Sequence, residues 1–278
     1  MSKKEVAVEK AASTAVGEAK VLTGLEGLNP EDFALPRIKL MQALSPEVAD
    51  GLAKAGDFLH TTLAESMGVG IEIVVLMAAK SAVLWNPRAM GGGVLARSLD
   101  GVKWDPPTGS FRVIPDKASK EVVWTVAPTV RASGLDKWGS SDPANPQSQP
   151  AADMMMNFYV TFPEAEAYGP AIVTCRRAGM KAGQQFAGAL LMRSNASIMA
   201  GKSPLVCGLV YQMTSKEVRN PKGNFYVPSF KMVREVTPEQ FARYAATGDF
   251  LRARGVTAKD LDGLDAAAAT PADEDLPF

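Results

Sequence analysis

The stretch from Gly70 to Trp85 constrains the fold more than any other part of the chain. Ile71, Ile73, Val74, Val75, Leu76, Val83 and Leu84 dominate it, and β-branched side chains suit the pleated surface of a strand better than the crowded surface of a helix. This run is expected to pass through the middle of a sheet.

Other segments supply its neighbours. Leu35 to Met41 alternates apolar and basic residues with the period of a half-buried strand, and Gly56 to Thr62 is placed to pair with it after the loop Ser45 to Ala55. Strands are also expected at Glu121–Val126, Met154–Phe162 and Ala171–Cys175. The two from Leu205 to Ser215 and Asn224 to Val233 flank the Asn220-Pro221-Lys222-Gly223 turn chemistry of a hairpin. Between Gly179 and Met199, Phe186, Leu190, Leu191 and Ile198 recur near helical spacing. Thr237-Pro238-Glu239-Gln240 is a helix start, with a capping Thr, a Pro at the first helical position and a Gln at capping-box distance. From Asn86 to Pro150, Gly91-Gly92-Gly93, Asp105-Pro106-Pro107 and Ser140 to Pro150 predict long inserted loops or lobes. The expected organisation is a mobile arm over residues 1–30, one β-rich α+β domain over 31–256 with one or two helices, and a disordered tail over 257–278 too poor in bulky residues to offset its ordering entropy.

Net charge is zero, with 30 basic and 30 acidic residues, but the signs are segregated. Between Ala171 and Arg234, Arg176, Arg177, Lys181, Arg193, Lys202, Lys216, Arg219, Lys222, Lys231 and Arg234 face Glu217 alone. After Lys259 only acids remain: Asp260, Asp262, Asp265, Asp273, Glu274 and Asp275. Such asymmetry points to a polyanion site and an acidic appendage on one chain.

The final residues, Asp273-Glu274-Asp275-Leu276-Pro277-Phe278, join three carboxylates to an apolar residue, a proline and an aromatic beside its own α-carboxylate. An apolar pocket flanked by Arg or Lys would capture that combination. This tip resembles that of bacterial single-stranded DNA-binding proteins, which end in a run of Asp followed by Ile-Pro-Phe; Leu276 stands where Ile is usual, and Glu274 replaces one Asp. Phage single-stranded DNA-binding proteins commonly end in a similar way. The resemblance covers only the tip and the plan of a basic β-rich body with an acidic end, and the phage type suits this longer body better. It implies an oligonucleotide-binding-fold-like β-barrel that coats exposed strands regardless of sequence. It also implies recruitment of replication or recombination proteins through Asp273, Glu274, Asp275, Leu276, Pro277 and Phe278. Alternative readings are a phage annealing or recombination-mediator protein, or a tail-mimicking accessory or inhibitor that engages host replication enzymes without DNA.

Single-strand binding needs cations along the phosphates and aromatic faces for the bases. Arg176, Arg177, Lys181, Lys216, Arg219, Lys222, Lys231 and Arg234 are the candidate cations. Phe225 and Tyr226 on the hairpin, and Trp104 and Trp138 beside Lys103 and Lys137, are the candidate platforms. On the second hairpin strand Tyr226, Phe230 and Met232 share one face; Phe225, Val227 and Lys231 share the other, expected to be the wetter.

Catalysis finds little support. His60 is the sole histidine, Cys175 and Cys207 are isolated, and neither a zinc spacing nor a phosphate-binding glycine loop is present. The expectation is a binding protein without enzyme activity, metal or cofactor. No apolar run reaches the ~18 residues of a membrane span, and a cytoplasmic setting follows, that of the host for a phage product. Self-association is compatible with the sequence.

Overall fold

Gly70–Trp85 forms one strand in the computed structural model, and the main sheet is assembled around it. The structure describes residues 35–115, 120–201, 206–220 and 223–253, all within a unit that begins at Ala34. The strands are β1 (Arg37–Leu40), β2 (Phe58–His60), β3 (Glu65–Ser66), β4 (Gly70–Trp85), β5 (Val94–Ser98), β6 (Gly109–Val113), β7 (Val122–Val126), β8 (Ala152–Thr161), β9 (Ala171–Arg176), β10 (Leu209–Asn220) and β11 (Gly223–Glu235). The helices are α1 (Pro46–Ala49), α2 (Val130–Ser133), α3 (Met180–Met199) and α4 (Pro238–Ala253). Strand order in the main sheet is β11-β10-β4-β8-β9-β1-β2-β3, with β5 added beside the second half of β4; β6 and β7 form a separate ribbon.

The β-rich α+β expectation is met, and the sheet curls. Ile38 and Phe58, from β1 and β2, share a core with Tyr211 and Met213, from β10 near the other end of the strand path. Only a curled sheet brings such strands together. Gln42, just beyond β1, fastens the approach: its Nε2 donates to the Tyr226 carbonyl at 3.0 Å and its Oε1 accepts from the Tyr226 N–H at 2.8 Å. The amide thus stands where a neighbouring strand's peptide would be. The path ends, β3 and β11, do not pair with each other, so backbone hydrogen bonds do not close the ring.

Each side of the sheet has its own cover. On one side Phe186 and Leu190 of α3 fill the core with Ile73, Val75, Phe158, Val173 and Met213, and Phe186 stacks on Phe230 with ring centroids 4.0 Å apart. Gly183 permits this approach, since a Cβ there would stand 2.6 Å from Cys175 Cβ. On the other side Tyr244 and Leu251 of α4 cover Val74, Leu76, Tyr159, Ile172 and Val210. The capping box of α4 is reciprocal: Gln240 N–H donates to Thr237 Oγ1, and Thr237 N–H to Gln240 Oε1.

A bulge between Val75 and Met77 reverses the alternation along β4. Beyond it, Ala82 and Leu84 feed a third core built from Ala96, Trp104, Val113, Trp124, Val126, Val130 and Leu135. The described residues of 86–150 therefore form a lobe, the second of the two expected outcomes, and it holds two strands, β5 and β6, that no sequence signal marked.

Candidate nucleic-acid interface

The hairpin β10–β11 is longer than expected. Pairing continues to Asn220↔Gly223, so Lys216 and Arg219, expected on a loop, lie on a strand whose alternation fixes the side each belongs to. Tyr211 and Met213 belong to the α3 side. Gln212, Thr214 and Lys216 therefore belong to the α4 side, as do Ser229 and Lys231 across the ladder. Arg234 stands opposite Val210 on that same side. Lys216, Ser229 and Lys231 are exposed, and neither lysine pairs with a carboxylate among the described residues.

Arg234, Arg176 and Arg177 have acidic partners from distant parts of the chain. Arg234 Nη2 contacts Glu72 Oε2 at 3.0 Å and Glu164 Oε1 at 2.9 Å. Arg176 and Arg177 converge on Asp153, at 3.7 and 3.3 Å. Arg219 pairs with Glu217 at 3.1 Å, on the α3 side. Lys181 is exposed in the first turn of α3. Alternation thus puts Lys216, Lys231 and Arg234 on the α4 side of the hairpin and Arg176 on the same side of the sheet but three strands away from β10, and leaves Arg219 and Lys181 on the other side. Lys222 and the tip Asp273, Glu274, Asp275, Leu276, Pro277 and Phe278 lie outside the described residues, as do residues 1–30 and 257–278.

The aromatic candidates need correction. Trp104 is 3% exposed in the lobe core, its indole N–H donating to Ser133 Oγ at 3.2 Å, so no base can stack on it. Polar neighbours in sequence suggested a platform; packing makes it an anchor of the lobe core instead. Phe225 is 8% exposed, although Ser229 and Lys231 on its side of the strand are open. Tyr226 lies on the opposite side against Gly56, where a Cβ would stand 2.8 Å from its ring; Gly56, at φ +91°, is the residue type that both the backbone and this contact require. Phe230 and Met232 pack on the α3-side core. Trp138, 60% exposed, is displayed by a loop that hydrogen bonds pin across its base, Gly139 N–H to Ser148 carbonyl and Ser141 N–H to Gln149 carbonyl.

Sequence reasoning missed Glu72, Asp153 and Glu164, because a charge count along the chain is blind to partners delivered across the fold, and Gln42, because no local pattern marks a side chain that pairs with a distant backbone. Burial pushes the Cys175 thiol up to about 12 and raises that of Cys207, which suppresses thiolate chemistry at both. His60 is buried, stacked on Tyr168, and accepts the Leu63 N–H at Nδ1.

A family model described as Pam3 phage gp34-like protein matches residues 3–256. No curated protein and no solved structure matches the chain.

Proposed function

The chain belongs to the Pam3 phage gp34-like protein family and is thus a phage protein; for it we propose sequence-independent binding of single-stranded DNA along the α4 side of the β10–β11 hairpin. The observation that carries this reading is the pair Lys216 and Lys231, exposed on one side of an edge hairpin without a carboxylate partner among the described residues. Gln212, Thr214 and Ser229 between them add polar groups able to meet phosphate oxygens. Arg234, held by Glu72 and Glu164, marks where the exposed lysines of this track give way to neutralised charge. Trp138, on a pinned loop, supplies an aromatic face for a base.

In this reading the curled sheet does what an oligonucleotide-binding barrel does elsewhere, and no chemistry accompanies binding. The acidic segment ending in Leu276-Pro277-Phe278 recruits replication or recombination proteins, its carboxylates and ring meeting a basic, apolar pocket. No helix among the described residues is long and apolar enough to cross a membrane.

Oligo-dT affinity measured at two salt concentrations tests the proposal. Binding that weakens as salt rises, with weaker retention of duplex, supports it. Absent or salt-indifferent binding overturns it. Assays of annealing between complementary strands then separate coating from strand pairing.

A further inference from the structure

We propose that the outward face of α3 pairs with the same face of a second copy of this chain, the two helices running antiparallel about a two-fold axis.

A helix whose outer side simply faced water would carry charge there. On α3 the inner side is Gly183, Phe186, Leu190 and Ser197, and the helical period sets Gly188, Leu191, Met192, Asn195, Ile198 and Met199 on the opposite side. Its four large apolar side chains are 62%, 75%, 54% and 89% exposed, for Leu191, Met192, Ile198 and Met199 in turn. From Gln184 to Met199 the sole charged residue is Arg193, which falls in line with buried Phe186 two turns earlier and so lies off this face. A contiguous apolar strip of this kind marks a contact surface, whereas single exposed apolar residues do not.

The chemistry of the strip selects its occupant. Without charge it offers little to phosphate or to an acidic or basic peptide, and two copies of it meet without repulsion. Its relief also complements itself. Gly188 has open space where a Cβ would stand, and Met199 follows it by 11 residues, three helical turns to within about 20°. An antiparallel pair centred between Arg193 and Ser194 therefore sets Gly188 of each helix opposite Met199 of the other, with Met192 and Asn195 facing each other near the axis. The strip is about 24 Å long, and a two-helix contact of that length is at the small end of specific interfaces, so the pair is a weak one that forms at micromolar concentrations. Lys216 and Lys231 belong to the opposite side of the sheet, so a pair joined through α3 presents two hairpin tracks at once. That consequence rests on the single-strand reading; the pairing does not.

Sedimentation of the full chain without DNA, over about a hundredfold range centred in the micromolar region, is the test. The mass is expected to rise from that of one chain, 29.5 kDa, toward twice that value. Met192→Glu and Met199→Glu together are expected to raise the dissociation constant at least about tenfold, with the thermal unfolding midpoint unchanged because both side chains stand in solvent. A mixture of Gly188→Cys and Met199→Cys chains should form a disulfide-linked pair under mild oxidation. Gly188→Cys alone should not, since the two-fold separates its copies by about 16 Å along the helices, beyond the reach of a disulfide. A single chain at every concentration overturns the proposal, as does a dimer indifferent to both glutamates or an assembly that grows past two. If the chain stays single and the Met192 and Met199 methyl resonances move on adding a peptide of residues 257–278, the face belongs to the tail and self-pairing is overturned.

Discussion

Two tryptophans with similar neighbours in sequence have opposite duties. Trp104 closes the lobe core, so Trp104→Ala is expected to cost about 3–5 kcal/mol of stability in denaturant unfolding. Trp138 is held out in solvent, and Trp138→Ala should leave stability within about 0.5 kcal/mol; oligo-dT binding should weaken by about 1–3 kcal/mol through one lost base stack. Full affinity in that variant would remove Trp138 from the interface. His60 carries a different kind of prediction. Burial lowers its pKa from the ordinary value of 6.5, outweighing the hydrogen bond to Tyr168 and the charge of Glu65 that act the other way. The folded state therefore resists protonation while the unfolded chain accepts it. Stability from this residue is complete above 6.5 and declines as pH falls below that value toward the lowered folded pKa. Urea unfolding at pH 7.5 and 5.5 should show this loss, and His60→Phe should reduce it; an equal loss in the variant would assign the pH dependence to other groups.

Elements were legible wherever local rules and tertiary packing agreed. Gly70–Trp85 was clear because a long β-branched run has few competing structures, and the α4 start because its capping residues act on each other within a single turn. The strands β5 and β6 were hidden by Gly91-Gly92-Gly93 and Asp105-Pro106-Pro107, which mark turns but say nothing about the short ladders between them. The hairpin loop was overestimated because Lys216 to Asn220 is polar except for Val218, a composition that a long hairpin tolerates where it extends beyond β4, whose pairing ends at Thr214↔Gly70. The joint between α3 and the hairpin relies on shape that no periodicity encodes. Gly183→Ala forces a Cβ to within 2.6 Å of Cys175 Cβ, so α3 must lift or shift, and a destabilisation of about 1–3 kcal/mol is expected despite the gain in helix propensity. A neutral or stabilising result by thermal unfolding would mean that the helix moves without cost to the Phe186–Phe230 stack.

At the scale of the molecule, what matters is how the sheet sorts charge. Counted along the chain, the segment from Ala171 to Arg234 has nine more cations than anions; in space Glu72 and Asp153 from other strands and Glu164 from the turn after β8 neutralise part of that surplus. Among the described residues the other cations divide between two sides, so a groove drawn from sequence alone would have included Arg219 and Lys181 with residues they do not face. The division makes a directional prediction. Replacing Lys216 and Lys231 together with Gln removes two charges from one side of the hairpin without breaking an ion pair among the described residues, so stability should hold. If both contact phosphate, the salt slope for oligo-dT should flatten by about 1.4, since each contact to a single strand contributes about 0.7. Arg219→Gln, which removes a charge from the opposite side of the same hairpin, should change the slope far less. Affinity lost equally in both variants would show that the strand wraps the hairpin edge; a slope that moves only with Arg219 would transfer the interface to the α3 side.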